Sequence, residues 1–117
     1  MSKYQITIFD DNKAFTKSIK NILIDYSKQN SSFHIRKFNI LNDNFSLDHP
    51  FLNQDSNSQN IYLIDLDLKS SLTGFNLAQH IRKKDCLGYI IFMTSHIHLI
   101  SKSYDYNVKA INFIDKS

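Results

Sequence analysis

The sequence predicts an α/β fold in which one five-stranded parallel sheet is wound on both faces. Three observations carry this. Apolar runs of strand length alternate with stretches of helical periodicity along most of the chain, the pattern of repeated strand–helix units. The run Ile61-Tyr62-Leu63-Ile64 is continuously apolar, as a strand covered on both faces must be. The runs also end in matching chemistry. Ile6 to Phe9 leads into Asp10-Asp11, the central run into Asp65, Ile90 to Met93 into Thr94-Ser95, and Ala110 to Ile114 into Asp115-Lys116.

Taken in order, Tyr4 to Phe9 reads as the first strand, and Asp11 or Asn12 as the cap of the helix that follows, since their side chains accept from orphan N–H groups. Phe15, Ile19, Ile22 and Tyr26 recur at helical spacing with Leu23 beside them, the mark of an amphipathic helix on a sheet. Gln29 to Ser32 is a loop. Phe33 to Ile40 is a second strand, with Phe33, Ile35 and Lys37 alternating against His34, Arg36 and Phe38, which suits an edge position. From Leu41 to Asn60 polar residues dominate around Pro50, and a short helix near Phe51 with loops on both sides is predicted. Beyond Asp65 a loop, Leu66 to Thr73, precedes a helix over about Gly74 to Asp85, with Leu77, Ala78 and Ile81 as its apolar stripe. Tyr89 to Met93 is the fourth strand. A helix over His96 to Tyr106, carrying Ile97, Ile100 and Tyr104 on one face, leads to a fifth strand ending at Ile114.

The 117 residues make one domain with a real core. No apolar run approaches the ~20 residues that span a bilayer, and the start lacks the form of a signal peptide. A lone cysteine, Cys86, allows no internal disulfide, which suits the cytoplasm. A net charge of +3 with scattered lysines and arginines does not argue for nucleic-acid binding. Cys86 has no CxxC partner, and two glycines, Gly74 and Gly88, build no phosphate-cradling loop. The five histidines form no zinc motif. His96 and His98 would stand about 200° apart on a helix and read as surface or interface residues.

In open α/β sheets ligands gather at the carboxyl ends of the strands. Any one of Asp10, Asp11 and Asp65 alone is an ordinary turn acid. Together, three carboxylates at the ends of two apolar strands repel one another and suit a hard cation such as Mg²⁺. Such a rim can hold the ion and take a phosphoryl group on Asp65, with the Thr94 hydroxyl and the Lys116 ammonium serving the phosphoryl oxygens. The Asp67 backbone carbonyl could face the ion, its side chain being merely solvated.

The order Asp10-Asp11, Asp65, Thr94-Ser95, Lys116 resembles the receiver domain of bacterial two-component response regulators over nearly the whole chain. More narrowly, YLIDLDLKSSLTGFNLAQHIRKKDCLGYIIFMTSH from Tyr62 and YNVKAINFIDK from Tyr106 resemble the accessory gene regulator A group, whose receivers precede a LytTR-type DNA-binding domain and serve peptide quorum sensing. The resemblance implies a flavodoxin-like sheet in the order 2-1-3-4-5. It implies that Asp65 accepts the phosphoryl group from a sensor kinase phosphohistidine. Mg²⁺ would be held by Asp11, Asp65 and the Asp67 carbonyl directly and by Asp10 through water, and Phe113 would be the aromatic switch residue. Such a domain is a self-modifying switch with no external substrate, and would contact DNA only through the domain that follows it. The chain departs from the family in lacking the proline after Asp65, in having Ser117 after Lys116, and in ending before the last helix and the effector domain. The apolar residues of the last strand and of the 96–106 segment then predict a homodimer. The other readings are a protein-binding receiver set by a partner instead of phosphate and, more weakly, a flavodoxin-like redox protein.

Overall fold

Five parallel strands form one sheet in the order β2-β1-β3-β4-β5 in the computed structural model. The structure describes residues 2–42, 59–67 and 73–116. The strands are β1 (Ser2–Phe9), β2 (Phe33–Leu41), β3 (Gln59–Asp65), β4 (Tyr89–Thr94) and β5 (Asn112–Asp115); the helices are α1 (Lys13–Gln29) and α2 (Gly74–Lys84). The order matches the expected flavodoxin-like fold. The predicted short helix near Phe51 lies outside the described residues. Among the described residues no helix is long and apolar enough to cross a membrane.

The central strands bury both faces, and each face has its own core. On one side Phe9, Tyr62, Ile64, Ile90 and Phe92 pack with Leu77, Ala78 and Ile81 of α2. On the other, Ile6, Ile8, Leu63 and Met93 pack with Phe15, Ile19 and Leu23 of α1. The α1 stripe is therefore rotated from the predicted one. It centres between Ile19 and Leu23, with Thr16 buried beside it, and leaves Ile22 63% and Tyr26 54% exposed. Thr16 is drawn inward by a hydrogen bond from Asn42 Nδ2 (3.3 Å), and Tyr26, in the last turn, packs edge-on against Phe33.

In β2 the simple alternation fails for one reason. Tyr4 pairs with Ile35 but Gln5 with Lys37, so Arg36 is an extra residue. One inserted residue reverses which side of the sheet the next side chains take. Phe38 and Ile40 thereby join Phe33 and Ile35 on the α1 face instead of opposing them.

The 96–106 segment is two 3₁₀ turns, Ile97–Leu99 and Ser101–Tyr106, and not the predicted α-helix. Ser101 and Ser103 hydroxyls bond the carbonyls of His98 (3.4 Å) and Ile100 (2.7 Å), the local side-chain competition that disfavours a regular helix. Ile97 is consequently 54% exposed, while Leu99 and Tyr106 reach the α2-side core. β5 begins at Asn112, later than predicted, and there the Asn112 side chain accepts from Phe113 N (2.8 Å).

Two devices fix the strand ends that matter. Thr73 caps α2 by accepting from Asn76 N (3.1 Å), and Gly74 lets the helix start against β3: a Cβ there would lie 2.5 Å from the Asp65 carbonyl oxygen. At the far end of α2, Arg82 donates to the carbonyls of Val108 (2.8 Å) and Gly88 (2.7 Å), tying the helix to the segment before β5.

Candidate functional site

β1 delivers Asp10 fully buried and Asp11 half-buried. The backbone there is pinned, with Asp10 N donating to Leu41 O (3.1 Å) and Asn42 Nδ2 donating to Asp10 O (2.8 Å). Asp10 Oδ1 accepts from Asn12 N (2.9 Å), and Asn12 itself caps α1 by accepting from Phe15 N (3.0 Å). Asn12 is thus the cap, of the two residues the sequence allowed. β3 delivers Asp65, 1% exposed, with Oδ1 accepting from Asp67 N (2.9 Å). The carboxylate oxygens of Asp10, Asp11 and Asp65 lie within 4.8 Å of one another.

β5 brings Lys116 into this group. Its backbone N–H donates to Thr94 O (2.9 Å), and Nζ donates to Asp10 Oδ2 at 2.8 Å and Asp65 Oδ2 at 3.1 Å. The ammonium also sits 4.7 Å above the Phe15 ring, a cation–π contact. Burial lifts the Asp65 carboxyl from the ordinary 3.8 to about 6, the Asp10 charge adds to this, and the Asp67 N–H and Lys116 oppose it. For Lys116 burial works downward, but the bonds to Asp10 and Asp65 outweigh it and hold the ammonium above its usual range. Lys116 is shared between Asp10 and Asp65, and the Asp11 carboxylate stands beside them. That donor set, hard and oxygen-only, fits Mg²⁺.

The sequence left the Asp67 side chain solvated, and the structure corrects this. Asp67 Oδ2 accepts from Thr94 Oγ1 (3.2 Å), Ser95 N (3.4 Å) and Ser95 Oγ (3.4 Å), and Oδ1 lies 3.2 Å from His96 Nδ1. Burial raises the Asp67 carboxyl, but the bonds from His96, Ser95 and Thr94 together hold it below the usual carboxylate range. His96 remains exposed, as a surface residue, yet it belongs to the rim of the site. Its ring and that of His98 are 5.8 Å apart and edge-on, not on opposite sides of a helix. These contacts follow from the register of β3 against β4, which the sequence of neither strand carries alone. Asp65 pairs with Met93, so residues equally far beyond β3 and β4 become neighbours.

An open cleft of about 470 Å³ collects Asp11, Asn12, Asp65, Asp67, Ser95, His96 and Lys116. Thr94 lies beneath it, 1% exposed. Phe113 is half-buried away from the cleft, its ring stacked on Phe92 at 5.9 Å. It lines a second hollow of about 230 Å³ with Ser103, Asn107, Val108, Lys109 and Ala110.

No protein-family model matches the chain. Accessory gene regulator protein A of Staphylococcus epidermidis (strain RP62A) is 40% identical over 63 residues, 54% of this chain and 26% of that protein. The protein of the same name from Staphylococcus aureus (strain N315) is 40% identical over 73 residues, 59% of this chain and 31% of that protein. The matched part of the chain thus spans between a quarter and a third of these curated relatives. Among solved structures, a CheY-like response regulator receiver domain protein from Methanospirillum hungatei aligns with a TM-score of 0.66 at 21% identity, covering 98% of this chain and 82% of that one. The response regulator TrrA of Thermotoga maritima, solved in complex with Mg²⁺ and BeF, aligns at 0.63 and 20% identity, covering all of this chain and 88% of that one. The chain thus has the fold of response regulator receiver domains and is similar, over part of its length, to accessory gene regulator protein A.

Proposed function

We propose that the chain is the phosphoacceptor switch of a two-component system, with Asp65 as the acceptor. The observation that carries this is the placement of Asp65: a buried carboxylate at the end of the central strand, beside two further acids and within 3.1 Å of Lys116. In the reaction an Asp65 carboxylate oxygen forms a bond to phosphorus as the P–N bond of a sensor kinase phosphohistidine breaks, and the electron pair leaves with the imidazole nitrogen. Lys116 and Thr94 serve the phosphoryl oxygens as donors. Asp11, Asp65 and the Asp67 carbonyl would hold Mg²⁺, with Asp10 acting through water. The ion would supply charge neutralisation between the incoming phosphoryl group and the acids. Support for the ion comes from the donor set here and from the Mg²⁺ of the TrrA complex.

The chain, residues 1–117, is in this reading the receiver domain of a longer regulator. A LytTR-type domain would contact DNA, phosphorylation would favour a homodimer, Phe113 would report the state of the site, and the signal would be a quorum-sensing peptide in the cytoplasmic response. Phe113 lines the hollow beside 107–110, which gives a change in its ring a surface to act on.

The test is a mass measurement after incubation with acetyl phosphate and Mg²⁺. One added phosphoryl group on the wild-type protein, absent in Asp65→Asn, is the expected result. Equal labelling of the Asn variant would remove Asp65 as the acceptor.

A further inference from the structure

Each group that would receive the phosphoryl oxygens is already held by an acid, and the two arrangements differ in strength. Lys116 is held by Asp10 and Asp65 at 2.8 and 3.1 Å. The Thr94 hydroxyl, the Ser95 N–H and the Ser95 hydroxyl converge on one oxygen of Asp67 at 3.2 to 3.4 Å, while His96 Nδ1 meets the other at 3.2 Å. Donors gathered from the end of β4 around a single carboxylate make an anion-binding cradle. Bonds to ionised groups are usually nearer 2.7–2.9 Å, so each of these is long and individually weak. Such a set is occupied but yields readily.

The cradle opens on the cleft that contains Asp65, and Asp67 is anchored only two residues along the chain from it. An anion added to Asp65 would compete for the same donors. We propose that the Asp67 carboxylate is an internal stand-in for the phosphoryl group, occupying Thr94, Ser95 and His96 until a phosphoryl group on Asp65 displaces it. This rests on Asp65 being the acceptor. Asp67 is thereby a positioning residue: it keeps the end of β4 in its phosphate-free arrangement and opposes retention of the added anion.

The test is a calorimetric titration of beryllofluoride, a phosphoryl mimic, at saturating Mg²⁺. Asp67→Ala should bind about tenfold more tightly than wild type, the scale of one lost charge-assisted bond. The gain should shrink to about twofold or less in a Thr94→Ala background, because the hydroxyl that both anions seek is gone. Asp67→Asn, isosteric and uncharged, serves if the alanine variant does not fold and should also bind more tightly than wild type. Equal or weaker binding by the folded variants would overturn the inference. So would an undiminished gain without Thr94, which would assign the effect to bare charge. Failure of the wild-type protein and every variant to bind would instead sink the acceptor reading and this inference with it.

Discussion

The Lys116 ammonium lies 3.1 Å from the Asp65 carboxylate, and this contact closes the sheet as well as the site. It joins the last strand to the central one across β4, and the same ammonium reaches Asp10 on β1 at 2.8 Å. Two of the three acids are buried and face one another through this single cation.

Removing that cation is therefore costly. Lys116→Met keeps an apolar stem over Phe15 and deletes the charge. In chelator it should destabilise the chain by about 3 kcal/mol, the scale for breaking a buried pair and leaving its charges unpaired. Mg²⁺ should recover much of the loss, because a divalent ion can replace the missing charge. Urea unfolding with EDTA and with Mg²⁺ reads both effects. Equal midpoints for variant and wild type in EDTA would show that the pair does not support the fold.

Gly74→Ala tests how closely α2 must approach Asp65. The added methyl would stand 2.5 Å from the Asp65 carbonyl and 3.0 Å from Leu66 Cα, both backbone atoms. Neither can swing aside, so helix or strand must shift. A loss of about 1–3 kcal/mol is expected, together with slower labelling of Asp65 by acetyl phosphate as its strand end moves. Unchanged stability would mean that the helix start is free to retreat from β3.

The strand ends were legible because each apolar run stops at a polar residue whose chemistry fits a rim, and Asp10, Asp11, Asp65 and Lys116 do meet there. The α2 stripe was legible for the same reason, a clean periodicity ending at a cap. Arg36 was not. An extra residue in β2 changes no local propensity, yet it turns Phe38 to the opposite face, and only the partner strand reveals it. The 96–106 turns were lost to serine side chains that bond their own backbone. The Asp67 contacts depend on the register of β3 against β4, which no spacing within one strand encodes.

Metal-free protein should lose stability as pH rises from about 4 to about 6. The folded chain holds the Asp65 proton up to about pH 6, whereas the unfolded chain releases it near 3.8. In that window the native state binds more protons, so unfolding is favoured as pH climbs, and above it the loss is complete. Two pKa units correspond to about 3 kcal/mol at most. Asp67 has the opposite sign, its depressed carboxyl giving stability that is lost as pH falls through the acid range. The difference between wild type and Asp65→Asn isolates the first effect. Wild type should be favoured relative to the variant at about pH 4 and lose that advantage by about pH 7. A flat difference would show that Asp65 ionises alike in both states.

Metal linkage separates Asp11 from its neighbours. Asp11 is the one acid of the three that is only half-buried and lines the open cleft, so it is placed to bind an ion without being needed for packing. If the cluster holds Mg²⁺, the ion should raise wild-type stability by about 1–3 kcal/mol at saturating millimolar levels, following the mass-action relation for a ligand of the native state. Asp11→Ala should remove most of that increment. In EDTA the variant should be as stable as wild type or more so, because a repelling charge beside Asp10 and Asp65 is gone. Thermal unfolding of both proteins across a Mg²⁺ titration decides the matter. A wild-type midpoint indifferent to Mg²⁺ would remove the metal from the site, and an Asp11→Ala protein that kept the full increment would remove Asp11 from the ion's ligands.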